Sequence, residues 1–114
     1  MKIVPCVLTV GLLASLAGAP WAIAGSPSNE TASTAAFEKA NEKMHEGMMV
    51  EFTGDADVDF VRHMIPHHRG AIDMATIEQA YGRDPEIRKL ATEIIKAQEA
   101  EIGAMNAWLA THKK

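Results

Sequence analysis

Two short stretches gather side chains that can hold a metal: Met44-His45-Glu46-Gly47-Met48-Met49 and His63-Met64-Ile65-Pro66-His67-His68. Imidazole nitrogen and thioether sulfur are soft to borderline donors, and thioethers select Cu(I). A set built from both, without thiolate, therefore points to copper, with Cu(I) ahead of Cu(II) or Zn(II). Cys6 is the only cysteine. Taken singly, each of these residues has a plainer reading: a lone histidine is a solvated or hydrogen-bonded side chain, and a methionine stripe is adaptable core filling. Three histidines in six residues are harder to explain that way. A rival set is Glu42-x-x-His45, the unit of carboxylate di-iron bundles, which need two copies on facing helices. One copy is present, so a di-iron redox enzyme is the weaker expectation.

Spacing on a helix decides which donors can meet. At ~100° per residue, His63 and His67 share a face, and Met64 and His68 share another. Met74 falls in the same narrow arc as His63 and His67, but ~10 Å along the axis from His67, which assigns it to a second site or to the core. His68 points into the apolar stripe. Pro66 and Gly70 break helix rules beside these histidines, costing about 3 and about 1 kcal/mol in a helix interior. Either the helix kinks at Pro66 or a new segment starts there. His112 reads as a surface residue.

Three helices follow from periodicity. Phe37, Ala40, Met44 and Met48 recur every three or four residues, predicting an amphipathic helix from about Ala35 to Phe52. Thr53-Gly54-Asp55 interrupts it, and Asp55 or Asp57 can cap a second helix running to about Tyr81. Gly82 is expected to close that helix in a left-handed conformation. Asp84-Pro85 restarts the chain as cap and first helical residue. Ile87, Leu90, Ala91, Ile94, Gln98, Ile102, Met105 and Leu109 then form the inner face of a third helix. The expected fold is all-α: an antiparallel helical hairpin with a shorter N-terminal helix packed on it. So small a core is marginal alone, and a homodimer forming a larger bundle is compatible with it.

A turn near Gly82 makes facing residue numbers in the last two helices sum to about 166. His67 then lies level with Glu99 and His63 with Gly103, with Gln98, Glu101 and Met105 nearby. The same count for the first two helices, about 110, sets Met44, His45 and Met48 beside Arg62 to Pro66. Segments from all three helices thus converge on one level.

The chain opens with Lys2, an uncharged apolar run, and Ala22-Ile23-Ala24, the order of a cleaved secretory leader. Residues 1–24 are read as signal peptide, 25–34 as a flexible Ser/Thr/Ala-rich linker, and 35–114 as a helical metal-binding domain. After cleavage no stable membrane insertion is expected. Lys2 is the only charged residue before Gly25, so residues 25–114 carry 10 basic and 15 acidic side chains, six methionines and all five histidines. That negative surface argues against nucleic acid as a partner. No phosphate loop, nucleophile triad, strand pattern or repeat appears, so an enzyme is not expected.

His63-Met64-Ile65-Pro66-His67-His68, continuing Ala71-Ile72-Asp73-Met74-Ala75, and then Ile94-Ile95-x-x-Gln98-x-x-Glu101-Ile102-x-x-Met105-x-x-Trp108-Leu109, resemble the CopM-like family. These are small exported bacterial proteins grouped as domain of unknown function 305, and the likeness runs from roughly Met44 to Thr111. The resemblance implies a ferritin-like helical bundle and periplasmic copper binding or resistance, with His63, Met64, His67, His68, Met74, Gln98 and Met105 as motif positions. The sequence departs from that pattern at Arg69-Gly70, where polar amides are common. The expectation is thus a periplasmic copper chaperone, buffer or resistance protein, with a copper-delivery protein as a partner. A metal-free structural or partner-binding module is the alternative.

Overall fold

The structure, a computed structural model, describes residues 29–112. The leader assigned to residues 1–24 and the first four residues of the linker lie outside them. Three helices follow in order: α1 (Asn29–Met48), α2 (Ala56–Tyr81) and α3 (Pro85–Thr111). The fold is all-α, and α2 and α3 form the long antiparallel hairpin. α1 and α3 both pack on α2 and not on each other. Among the described residues no helix is long and apolar enough to cross a membrane.

Local chemistry sets the ends of α2 and α3. The Asp55 carboxylate accepts from the amides of Asp57 and Val58, and Asp84 does the same for Glu86 and Ile87. Pro85 follows as first helical residue, where it has no amide to leave unpaired. α2 stops at Tyr81 as expected, but Gly82 is extended (φ −67°, ψ 149°), not left-handed. Glycine is needed there for closeness: a Cβ would lie 2.5 Å from the Glu78 carbonyl oxygen. α2 runs unbroken through Pro66.

α1 differs from expectation at both ends. It starts at Asn29, so 29–34, read as flexible linker, is helical; Ala32, Ala35 and Ala36 favour a helix whatever the Ser/Thr content around them. It ends at Met48 rather than Phe52, closed by the Met49 amide on the Glu46 carbonyl (3.1 Å). The chain beyond does not turn back at once. Its next residues run beside the first turns of α2, held by contacts to Asp59 and His63.

That excursion slides α1 along α2. Gly47 meets Pro66, Met44 meets Gly70, and Lys43 pairs with Asp73 at 2.7 Å. α1 therefore sits nearly one turn further along α2 than the count of 110 placed it. α2 and α3 are shifted similarly: His68 faces Glu101 and Gln79 faces Thr92. The core between the helices is thin. Ala40, Val61, Ile65, Ala75 and Ala91 are its buried apolar residues, and no large side chain is fully enclosed.

Candidate metal centre

α2 distributes its histidines to different neighbours because consecutive residues rotate by ~100°. His68 turns to α3 and is buried at 8% exposure. Its Nδ1 lies 2.8 Å from the Met64 carbonyl oxygen, and its Nε2 lies 2.5 Å from Glu101 Oε2. A neutral imidazole has one N–H. If Nδ1 donates to the helix carbonyl, Nε2 presents a lone pair, and a lone pair and a carboxylate oxygen so close need a cation between them. A proton shared between the two groups meets that need.

Met64 and Met105 are the soft donors beside this ring. With Phe60, His68, Glu101 and Ala104 they line a groove of about 400 Å³ between α2 and α3. It continues into one of about 500 Å³ that shares Phe60, Ala104 and Met105 and reaches Trp108. A larger cavity, about 1010 Å³, is lined by Val58, Arg62, Leu109 and His112, with no methionine in its wall. Size does not locate the donors here. The 400 Å³ groove does, because thioether and imidazole share its wall.

His63 lies elsewhere. Its Nδ1 is 2.7 Å from the Asp59 carbonyl oxygen, its Nε2 is 3.1 Å from the Val50 carbonyl oxygen, and Phe52 stacks on the ring at 4.5 Å. The same loop is tied from the other side: Asp59 accepts from the Thr53 amide (2.7 Å), the Thr53 hydroxyl (2.8 Å) and the Gly54 amide (3.1 Å). The Thr53 amide, above all, holds the Asp59 carboxyl below its ordinary range; burial opposes this, and the Thr53 hydroxyl, the Gly54 amide and His63 add to it. Gly54 supplies the positive φ (87°) this turn requires.

The remaining candidates scatter. His67 is exposed, its ring 6.1 Å from that of His68, edge to face. Met44 packs on the bare backbone of Gly70, where a Cβ would meet its Sδ at 2.5 Å. Met48 is half-buried on α1, His45 exposed, and Met74 37% exposed on α2. The side-chain oxygen of Gln98 is buried without a hydrogen-bond partner. Among the described residues, no three His, Cys, Asp or Glu side chains lie close enough to hold a metal. The convergence of all three helices expected from counting is thus reduced to Met64, His68 and Met105 from α2 and α3. Glu101, the partner of His68, was not among the expected donors. A register sum of 169 in place of 166 would have paired the two.

Residues 57–114 match the family model described as domain of unknown function, DUF305. That is half of the chain. The protein belongs to the DUF305 family. The matched part takes in all but the first residue of α2 and the whole of α3, so the groove lies within the DUF305 region, while Met44, His45 and Met48 lie before it. The chain is also similar to an uncharacterized protein of Acanthamoeba polyphaga mimivirus, 42% identical over 57 residues, or 50% of this chain. The match spans 38% of that relative's own length.

Proposed function

We propose that this DUF305 protein binds Cu(I) in the groove of Met64, His68 and Met105 and serves as an exported copper chaperone, buffer or resistance protein. The observation that carries the proposal is the sharing of one groove by two thioethers and a buried imidazole. In that groove His68 Nδ1 is engaged by the Met64 carbonyl and Nε2 faces Glu101. Backbone fixation of one ring nitrogen is how metal-binding histidines are commonly oriented. The donor set fits a soft monovalent ion better than zinc, which favours thiolate, imidazole and carboxylate ligands. The leader-like residues before Gly25 and the family resemblance support export and a periplasmic location, where a copper-delivery protein would be the partner.

Competitive Cu(I) titration of the metal-free protein tests the reading. Met64→Leu with Met105→Leu conserves volume, which typically costs under about 1.5 kcal/mol in stability. This pair is expected to weaken Cu(I) binding at least about tenfold, equivalent to about 1.4 kcal/mol, with helical circular dichroism retained. His63→Ala is expected to leave affinity unchanged, since its ring is committed to the loop. Unchanged binding in the double leucine variant would remove the groove from consideration. Absence of copper binding in the parent would favour the metal-free helical module.

A further inference from the structure

The α2–α3 hairpin carries an apolar seam that no other described residue of the chain covers. Along α2, Phe60, Met64, His67, Ala71, Met74 and Tyr81 follow the alternating four-and-three spacing of a coiled-coil face, with Glu78 in the remaining position. Along α3, Ile87, Leu90, Ile94, Ala97, Ala104 and Trp108 do the same, with Glu101 filling the gap. The two stripes belong to one side of the hairpin, since Phe60, Met64, Ala104 and Trp108 line the continuous trough between the helices. α1 lies away from it, on the Pro66–Gly70 face of α2.

Phe60, Ile87 and Leu90 are 62%, 48% and 49% exposed, and Met74 and Tyr81 more than a third. With ~200 Å² for a large side chain, these five alone leave on the order of 400 Å² of apolar surface in water. That is already half of the ~800 Å² each partner contributes to a standard stable interface. Ala97 and Ala104, both exposed, add to it and let a facing helix come close. Charge does not obstruct the approach: Glu101 is paired with His68, and Glu78 folds toward Gly82.

We propose that this face is the dimer interface and that a second copy of the chain covers it. The thin core selects that occupant. With only alanines, one valine and one isoleucine buried among the described apolar residues, the fold needs its cover whenever it is folded, and a second copy is the one partner always present. Two hairpins joined through a seam of 3.5-residue period give a four-helix bundle crossing at about 20°. The α1 helices flank it, and the dimer roofs the Met64–His68–Met105 groove.

Equilibrium sedimentation of the metal-free protein with a chelator present tests this separately from copper binding. The expected mass is that of a dimer, and the unfolding midpoint should fall on about a hundredfold dilution, as mass action requires. Leu90→Glu with Phe60→Glu is expected to halve the mass or abolish the fold. Thr92→Glu on α3, outside the seam, should leave the dimer intact. A monomeric parent with a concentration-independent midpoint overturns the proposal, and so does a dimer that the seam substitutions leave unchanged.

Discussion

His63 and His68 are five residues apart on one helix, and each has both ring nitrogens facing oxygen. What separates them is the kind of oxygen. His63 meets two carbonyls and fastens a loop to the helix; His68 meets a carbonyl and a carboxylate and sits among thioethers. The loop fastening also depends on Asp59, whose carboxyl is held below the ordinary value of about 3.9. A carboxyl depressed in the folded state stabilises above its unfolded pKa, and that stabilisation disappears as pH falls through the folded pKa. The Thr53 and Gly54 amides should therefore stay protected from solvent exchange at neutral pH and lose protection in acid below the usual carboxylate range. Amide exchange by NMR would read this, and Asp59→Asn should remove most of the acid dependence. Protection that ignores both acid and the substitution would mean that the loop is held by His63 and Phe52 alone.

At the scale of the helices, position along α2 is set by close contact. Gly70 lets α1 come near: an added Cβ would meet Met44 Sδ, Cγ and Cβ at 2.5, 2.7 and 2.9 Å. Gly→Ala within a helix ordinarily gains about 1 kcal/mol. Here even the Met44 Cβ is too near, so rotation of the side chain cannot relieve the overlap and α1 has to shift. Gly70→Ala is expected to destabilise by about 1–2 kcal/mol, the overpacking cost exceeding the helical gain. Urea unfolding measures it, and a stabilised variant would show that α1 packs more loosely. The helix-rule violation at Gly70 thus has a packing cause. The Lys43–Asp73 pair adds little energy, since exposed ion pairs contribute about 0–1 kcal/mol, but it marks the same register.

For the molecule as a whole, stability rests on few residues. Ile65 is one of two branched aliphatic side chains buried in the described core. Ile65→Ala should cost about 2–5 kcal/mol, a large part of the 5–15 kcal/mol usual for a folded domain. The variant is expected to lose cooperative thermal unfolding or most of its helical signal near room temperature. A loss under about 1 kcal/mol would place the main stabilising contacts outside this core. An open layer in which α1 and α3 do not touch is consistent with such sensitivity and with the apolar seam left on the hairpin.

The number of helices, the carboxylate caps and the proline start of α3 were legible because each is decided within a turn or two of the chain, whereas the inner face expected of α3 was legible only in part, since Ile87 and Leu90, counted in it, are about half exposed. Asp55, Asp84 and Pro85 satisfy or avoid unpaired amides whatever the rest of the fold does. Membership of His68 and Met105 in a common region was legible too, since an antiparallel hairpin with a short turn has a narrow range of registers. The site itself was not. A slip of three residues moved the partner of His68 from the Gln98 level to Glu101, and helix rotation, ~100° for each residue, sent His63 to the loop and left His67 in solvent. The loop after Met48 runs along α2 because its amides find Asp59 and one of its carbonyls finds His63, contacts between residues up to 13 apart. Local sequence fixes which segments are helical; only the packing of one helix on another selects which side of each meets its neighbour, and with it which donors can share a metal.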